Sequence, residues 1–223
     1  MASQAGSGAA ARVPLSRERV LAAAIELADR SGIESLTMRK LAQELGVEAM
    51  SLYYHVANKD EILTAIADMV VHEIELPAPG AEWKRAIRGT AISAHQALLR
   101  HPWAAGLLLS SSVANEARLR YMDSILGTLR SAGFSPEMTD HAYHALDSHI
   151  MGFTLWVVSM NLGSQDDVAR LATDFLETLS PDLPHLAEHV RQHLRPRDAE
   201  DEGEFAFGLD LILDGLERYL AVA

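Results

Sequence analysis

From Ser16 to Val56 the apolar residues recur at three- and four-residue steps, and glycines, not strand-like runs, mark the breaks. Val20, Leu21, Ala24, Leu27 and Ala28 trace one face of a helix that Ser16 can cap and Gly32 can end. Thr37 opens a second helix. With Thr37 as N-cap, Leu36 before it and Leu41 at the fourth helical position form a hydrophobic staple, which sets the angle of chain entry. Gly46 closes that helix, because a residue tolerant of positive φ allows a tight turn. Val47 and Leu52 repeat the staple on a third, short helix capped weakly by Glu48, and Ala42 leaves room for close crossing. Leu41, Leu45, Val47, Leu52 and Val56 are expected to face the first helix, which makes the segment a helix-turn-helix.

Downstream, no stretch alternates with β-branched enrichment, so a sheet has no candidate strands and the fold class is all-α. Further helices are expected from Asn58, Trp83, Trp103, Asn115, Pro136, Gln165, Pro184 and Glu204, with Pro77, Pro79, Gly80, Gly133 and Pro181 near their boundaries. The Leu76–Gly80 break is the expected domain boundary. It separates a three-helix helix-turn-helix domain at 16–76 from a larger helical body at 81–223. Residues 1–15, mostly small and without an apolar face, are expected to form a flexible arm. Five acidic residues within Asp198–Glu204 read as a solvated loop before the last helix.

Charge follows the same division. Of 19 basic and 31 acidic residues, seven of each fall before residue 61, leaving 12 and 24 for the rest and placing the net −12 on the C-terminal part. That balance excludes a protein that coats nucleic acid or anionic lipid without specificity. Any DNA contact is confined to the N-terminal end. The chain has no cysteine, so disulfides, thiolate metal sites and cysteine nucleophiles are excluded. It carries no apolar run of the ~18 residues a membrane span needs, and Met1–Leu15 lacks a signal-peptide pattern. A cytoplasmic protein is expected.

The outward positions of the helix-turn-helix carry Arg39, Ala49, Met50, Ser51, Tyr53, Tyr54 and His55. A recognition helix enters the major groove, where Arg reaches guanine O6 and N7, while hydroxyls and imidazole can donate to phosphates. Asn58 with Glu61 forms a capping box for the next helix, and Lys59 at its first turn stands beside free backbone N–H groups suited to a phosphate. Two amphipathic helices joined at a glycine also occur in helical proteins of many kinds. The Tyr53-Tyr54-His55 run distinguishes this case: three bulky amphipathic side chains at one exposed end waste apolar area unless a partner covers them, although a tyrosine there also suits a core.

The stretch Ser31-Gly32-Ile33-Glu34-Ser35-Leu36-Thr37-Met38-Arg39-Lys40-Leu41-Ala42, followed by Leu52-Tyr53-Tyr54-His55-Val56 and Asn58-Lys59, strongly resembles the DNA-binding domain of the TetR family of bacterial transcriptional repressors. Arg100-His101-Pro102-Trp103-Ala104-Ala105 and Leu129-Arg130-Ser131-Ala132-Gly133-Phe134 resemble segments of the tetracycline-repressor-type C-terminal domain. The resemblance implies a homodimer that binds a palindromic operator and leaves it when a small effector occupies an effector-binding and dimerisation domain at 81–223. Position by position, it implies DNA contacts from Thr37 and Arg39 on the second helix, from Ser51, Tyr53, Tyr54 and His55 on the third, and a phosphate contact from Lys59. Ala49 and Met50 stand where the tetracycline repressor has a base-reading Gln and a Pro, so its operator does not transfer. The resemblance also implies a four-helix dimer interface built from Pro136–Leu162 and Glu204–Ala221.

On the last helix Phe205, Leu209, Ile212, Leu213, Leu216 and Leu220 form an apolar face suited to a partner. Trp103, Leu107, Tyr121, Tyr143, Met151, Trp156 and Met160 could surround an apolar effector with a few polar handles. Each also suits a plain core. The fourth helix, expected from Asn58 to about Leu76, would join the DNA end to the body. Ten histidines raise a metal reading. His141, His144 and His149 with Asp147, and His185, His189 and His193, have permissive spacing, but no metal, cofactor or catalytic residue is assigned. The alternatives are a helical metal-dependent hydrolase using these histidines and a protein–protein interaction module. Against the hydrolase stands the lack of a His-Glu-x-x-His run, a Gly-x-Ser-x-Gly elbow or a Gly-rich phosphate loop.

Overall fold

Caps written into the sequence set the first helices of the computed structural model, which describes residues 14–110, 116–160, 165–193 and 203–222. Helix α1 (Arg17–Ser31) starts where Ser16 Oγ accepts from Arg19 N. A 3-10 turn at Ile33–Ser35 leads to α2 (Met38–Leu45), opened by Thr37 Oγ1 accepting from Lys40 N at 3.2 Å. Gly46 takes φ 66° and ψ 35°, the left-handed conformation that lets Val47 N bond back to Ala42 O and end the helix. Then α3 (Ala49–Leu52) and α4 (Lys59–His72) follow. The fold class is all-α, and no strand occurs among the described residues.

The remaining helices are α5 (Trp83–Arg100), α6 (Pro102–Ser110), α7 (Glu116–Ser131), α8 (Pro136–Met160), α9 (Gln165–Thr178), α10 (Pro184–His193) and α11 (Gly203–Val222). The chain forms two compact units. The first joins residues up to Ile74 with Arg100–Tyr121, so α6 and the start of α7 pack with the N-terminal helices, beyond the sequence break at Leu76–Gly80. The second holds Glu75–Leu99 and the chain from Met122 onward. The expected arm at 1–15 and the acidic loop lie mostly outside the described residues.

In the first unit α1 packs on α2, α4 and α6, and α2 packs on α3. Leu36, Leu41, Leu52, Ile62 and Ile66 are all but fully buried there, which confirms the first staple pair. Two local readings are corrected. Glu48 gives α3 no side-chain cap, and α4 ends at His72 instead of near Leu76, where Glu73 N bonds Val70 O and Val71 O. Helix α6 is tied on by side chains: Trp103 Nε1 donates to Asp29 Oδ1 at 2.6 Å, and the two ring nitrogens of His101 lie 2.9 Å from Asp29 Oδ1 and 3.1 Å from Glu73 Oε1. Partial burial works to raise the Glu73 pKa, but the bonds and charges of Arg100 and His101 hold it below the ordinary carboxylate value.

In the second unit α11 has three distinct faces. Phe205, Leu209, Leu213 and Leu216 are buried inside the protomer, where α11 packs on α8. Asp210, Asp214 and Glu217 meet α5: Arg88 Nε bonds Asp210 Oδ1 at 2.7 Å, and Lys84 Nζ reaches Asp214 and Glu217 at 2.7 and 2.6 Å. Hydrogen bonds to those two carboxylates raise the Lys84 pKa to about 12. Phe207, Leu211, Tyr219 and Val222 are exposed. Four of the six residues expected to meet a partner are therefore buried within the chain, Ile212 and Leu220 are half-buried, and the opposite apolar stripe is left open.

Two histidines stack on Phe205, His95 with ring centroids 3.9 Å apart and His149 at 4.9 Å. Thr154 Oγ1 donates to Ile150 O, so it accepts from His95 Nδ1 at 2.7 Å. His149 Nε2 donates to Phe205 O at 2.9 Å. A Cβ at Gly208 would lie 2.6 Å from His149 Cε1, which explains a glycine at this crossing. Burial, then the nearby His149, pushes the His95 pKa down from 6.5 to about 4. The folded protein thus holds His95 neutral while the unfolded chain protonates near pH 6.5. Its contribution to stability is complete above pH 6.5 and is lost as pH falls toward 4. Urea midpoints between pH 4 and 8 should show a shallower acid slope in His95→Gln than in the natural chain, the difference staying below about 1.4 kcal/mol per pH unit. Identical slopes would contradict it.

Candidate nucleic-acid interface

The residues expected at DNA all fall in the first unit, on or beside three consecutive short helices. Thr37 and Arg39 sit at the start of α2 and are exposed. Ser51 lies on α3 and is half-buried, held in place by the fully buried Leu52 beside it. Tyr53, Tyr54 and His55 lie just past α3 in a helical turn, closed by bonds from His55 N and Val56 N to Leu52 O. Tyr54 is 88% exposed, Tyr53 is exposed and His55 is half-buried. This open turn excludes the core role left open for Tyr54.

Lys59 is the first residue of α4, half-buried, at a helix start where the capping box takes a variant form. Asn58 Oδ1 accepts from Glu61 N at 2.8 Å, while Glu61 Oε2 reaches one residue further back, to Ala57 N at 2.6 Å. That backbone bond, against a small opposing effect of burial and helped by Arg17, lowers the Glu61 pKa. Sequence reasoning did not place Met50 among the candidate contacts, yet it is 71% exposed on α3. Its exposure on a helix whose inner face is Leu52 was the available signal.

Residues 20–66 match the family described as bacterial regulatory proteins, tetR family, and residues 76–220 match the tetracyclin repressor-like C-terminal domain. The chain belongs to the tetR family. It is 36% identical over 210 residues to the class D tetracycline repressor of Escherichia coli, spanning 92% of this chain and 91% of that protein. Among solved structures it is similar to Streptomyces coelicolor ActR in complex with actinorhodin, with a TM-score of 0.72 and 27% identity over 93% of this chain and 99% of that one. BioQ with its natural double-stranded DNA operator aligns with a TM-score of 0.64 and 27% identity, covering 92% and 99% of the two chains. Members of the family are transcriptional regulators that bind DNA operators and work as dimers. This tetR-family chain is accordingly an effector-responsive regulator with a DNA-binding and a ligand-binding domain.

The candidate effector residues of this tetR-family chain divide between the two units. Trp103, Leu107 and Tyr121 belong to the first, where the Trp103 indole is already engaged by Asp29. Tyr143, Met151, Trp156 and Met160 belong to the second, all on α8. Tyr143 and Met151 are buried, whereas Trp156 and Met160 are exposed. Along α8 the exposed residues Ala145, Ser148, Gly152 and Trp156 form one stripe at three- and four-residue steps. The first histidine group does not converge: His149 bonds into α11, while His141 and His144 are exposed beside Glu137 and Asp140 of their own helix. Among the described residues no group of three or more His, Asp or Glu side chains could hold a metal, and His193 lies at the edge of what is described. No described helix is long and apolar enough to cross a membrane.

Proposed function

We propose that this chain is a repressor that acts as a homodimer on a two-fold symmetric operator, works by binding without catalysis, and is released by a small molecule held in the C-terminal domain. The observation that carries the reading is the exposed set Thr37, Arg39, Tyr53 and Tyr54, with Ser51, His55 and Lys59 at its margin, on a helix-turn-helix anchored by the buried Leu41, Leu52 and Val56, with Leu45 and Val47 half-buried. Thr37 Oγ1 accepts the α2 cap bond and keeps its own proton for a phosphate oxygen. Arg39 serves a guanine edge or a phosphate, and Lys59 serves a phosphate. The net negative charge lies on the chain beyond residue 60, and the site of action is the cytoplasm.

Dimer contact falls to α8 and α11, through the stripe from Ala145 to Trp156 and the stripe Phe207, Leu211 and Tyr219. Small residues at Ala145, Ser148 and Gly152 permit close helix approach. This use of Trp156 competes with its use in an effector site and Met160 is exposed, which leaves the buried Tyr143 and Met151 as the stronger effector candidates in the second unit. The ligand is a mainly apolar molecule with a few polar groups. ActR's complex with actinorhodin supports the binding of a ligand.

A gel shift on DNA flanking the coding region, in a salt series, tests the reading. Affinity should fall steeply with salt while site preference persists. Lys59→Ala should weaken binding to all sequences alike and reduce the salt slope by about two, one phosphate for each head of the dimer. An unchanged slope would remove Lys59 from the interface. A compound that raises the melting temperature should also displace the operator; one that stabilises the protein without displacing DNA would contradict release.

A further inference from the structure

Bidentate reading of a base edge takes Arg or Lys for guanine and Asn or Gln for adenine. Helix α3 carries none of these, since its four residues are Ala49, Met50, Ser51 and Leu52, and Leu52 points wholly into the core. What α3 offers outward is Met50, and Tyr54 four residues on lies on the same side. Tyr54 and Met50 are the two most exposed of the large hydrophobic side chains in the described part of this unit. Lone exposed apolar residues are ordinary on protein surfaces. Here the exposed residue stands on the outward side of the recognition helix, where the surface that meets it is a major groove. The one apolar group a base pair presents there is the thymine C5-methyl. An unbranched thioether side chain with three rotatable bonds can follow that methyl group at no cost in buried polar atoms.

We propose that Met50 is a specificity-determining residue of this regulator and that it selects a thymine at one position of each half-site by packing on the C5-methyl group. The proposal rests on the DNA-binding reading above, and it deepens that reading by naming the base chemistry. Arg39 on α2 keeps the polar share of recognition, so the operator combines an apolar thymine step with a contact that hydrogen-bonds.

The test uses the full-length protein and a duplex it has selected from a random pool. Each thymine of the half-site is replaced in turn, at both symmetry-related positions, by deoxyuridine, which removes only the methyl group. One position should lower affinity about fourfold per methyl, about fifteenfold for the symmetric pair. Met50→Ala, an exposed substitution that should leave the melting temperature unchanged, should bind the thymine and uracil duplexes equally at that position. The proposal is overturned if no thymine is sensitive, or if the Ala variant retains the full discrimination. If the protein selects no sequence at all, the DNA-binding reading itself fails and the proposal goes with it, a result distinct from the other two.

Discussion

Replacing Phe207 and Leu211 together by glutamate should turn the dimer into a monomer and lower operator affinity by about 10²- to 10⁴-fold, the avidity lost when two linked heads become two separate ones. These side chains are 69% and 58% exposed on α11, while Leu209 and Leu213 on the opposite face are fully buried within the protomer. A two-fold interface is self-complementary, so each substitution acts twice and brings like charges from the two copies toward one another. Burial of a Phe or Leu side chain is worth about 1.5–3 kcal/mol, and that gain is replaced by the cost of desolvating carboxylates. Sedimentation should report the monomer, with helical content and melting of the single chain retained. Leu209→Ala, by contrast, should destabilise the protomer itself. If the double variant stays dimeric and binds operator normally, the interface lies elsewhere.

Leu52→Ala should cost about 2–5 kcal/mol, the range for emptying a buried leucine site. Leu52 is fully buried and belongs to a helix of only four residues, which has too few internal bonds to persist without its anchor. The expected result is accelerated hydrogen exchange across α2, α3 and α4, little change in α8 and α11, and loss of operator binding. Tyr54→Ala and Arg39→Ala should lose operator affinity as well, but with exchange rates and melting unchanged. That contrast separates residues that position the reading surface from residues that form it. Equal exchange in Leu52→Ala and the natural chain would show that α3 is held by other means.

The local devices were legible in the sequence because each depends on a few neighbouring residues. Ser16, Thr37 and Asn58 all act as caps, Gly46 takes the left-handed turn, and Leu36, Leu41 and Leu52 all face the core. What depended on distant parts of the chain was not legible. Helix α11 carries one apolar stripe at Phe205, Leu209, Leu213 and Leu216 and another at Phe207, Leu211, Tyr219 and Val222. Periodicity alone cannot say which one the protomer buries. The end of α4 at His72 has no glycine or proline to announce it before Pro77. The bond from Trp103 to Asp29 spans 74 residues, so no local pattern announces that this tryptophan ties α6 to α1. Met50 was legible as an outward position but not as a contact, because an apolar residue has no hydrogen-bonding role to advertise, and its 71% exposure appears only in the fold.

The central claim is that two copies of this chain read a symmetric duplex through their N-terminal heads. Selection from a random duplex pool by the purified full-length chain, with the mass of the complex measured on the winning sequence, tests it directly. Two inverted half-sites about one helical turn apart, bound by two chains, is the expected result. A monomer that enriches nothing, even at low ionic strength, would contradict it.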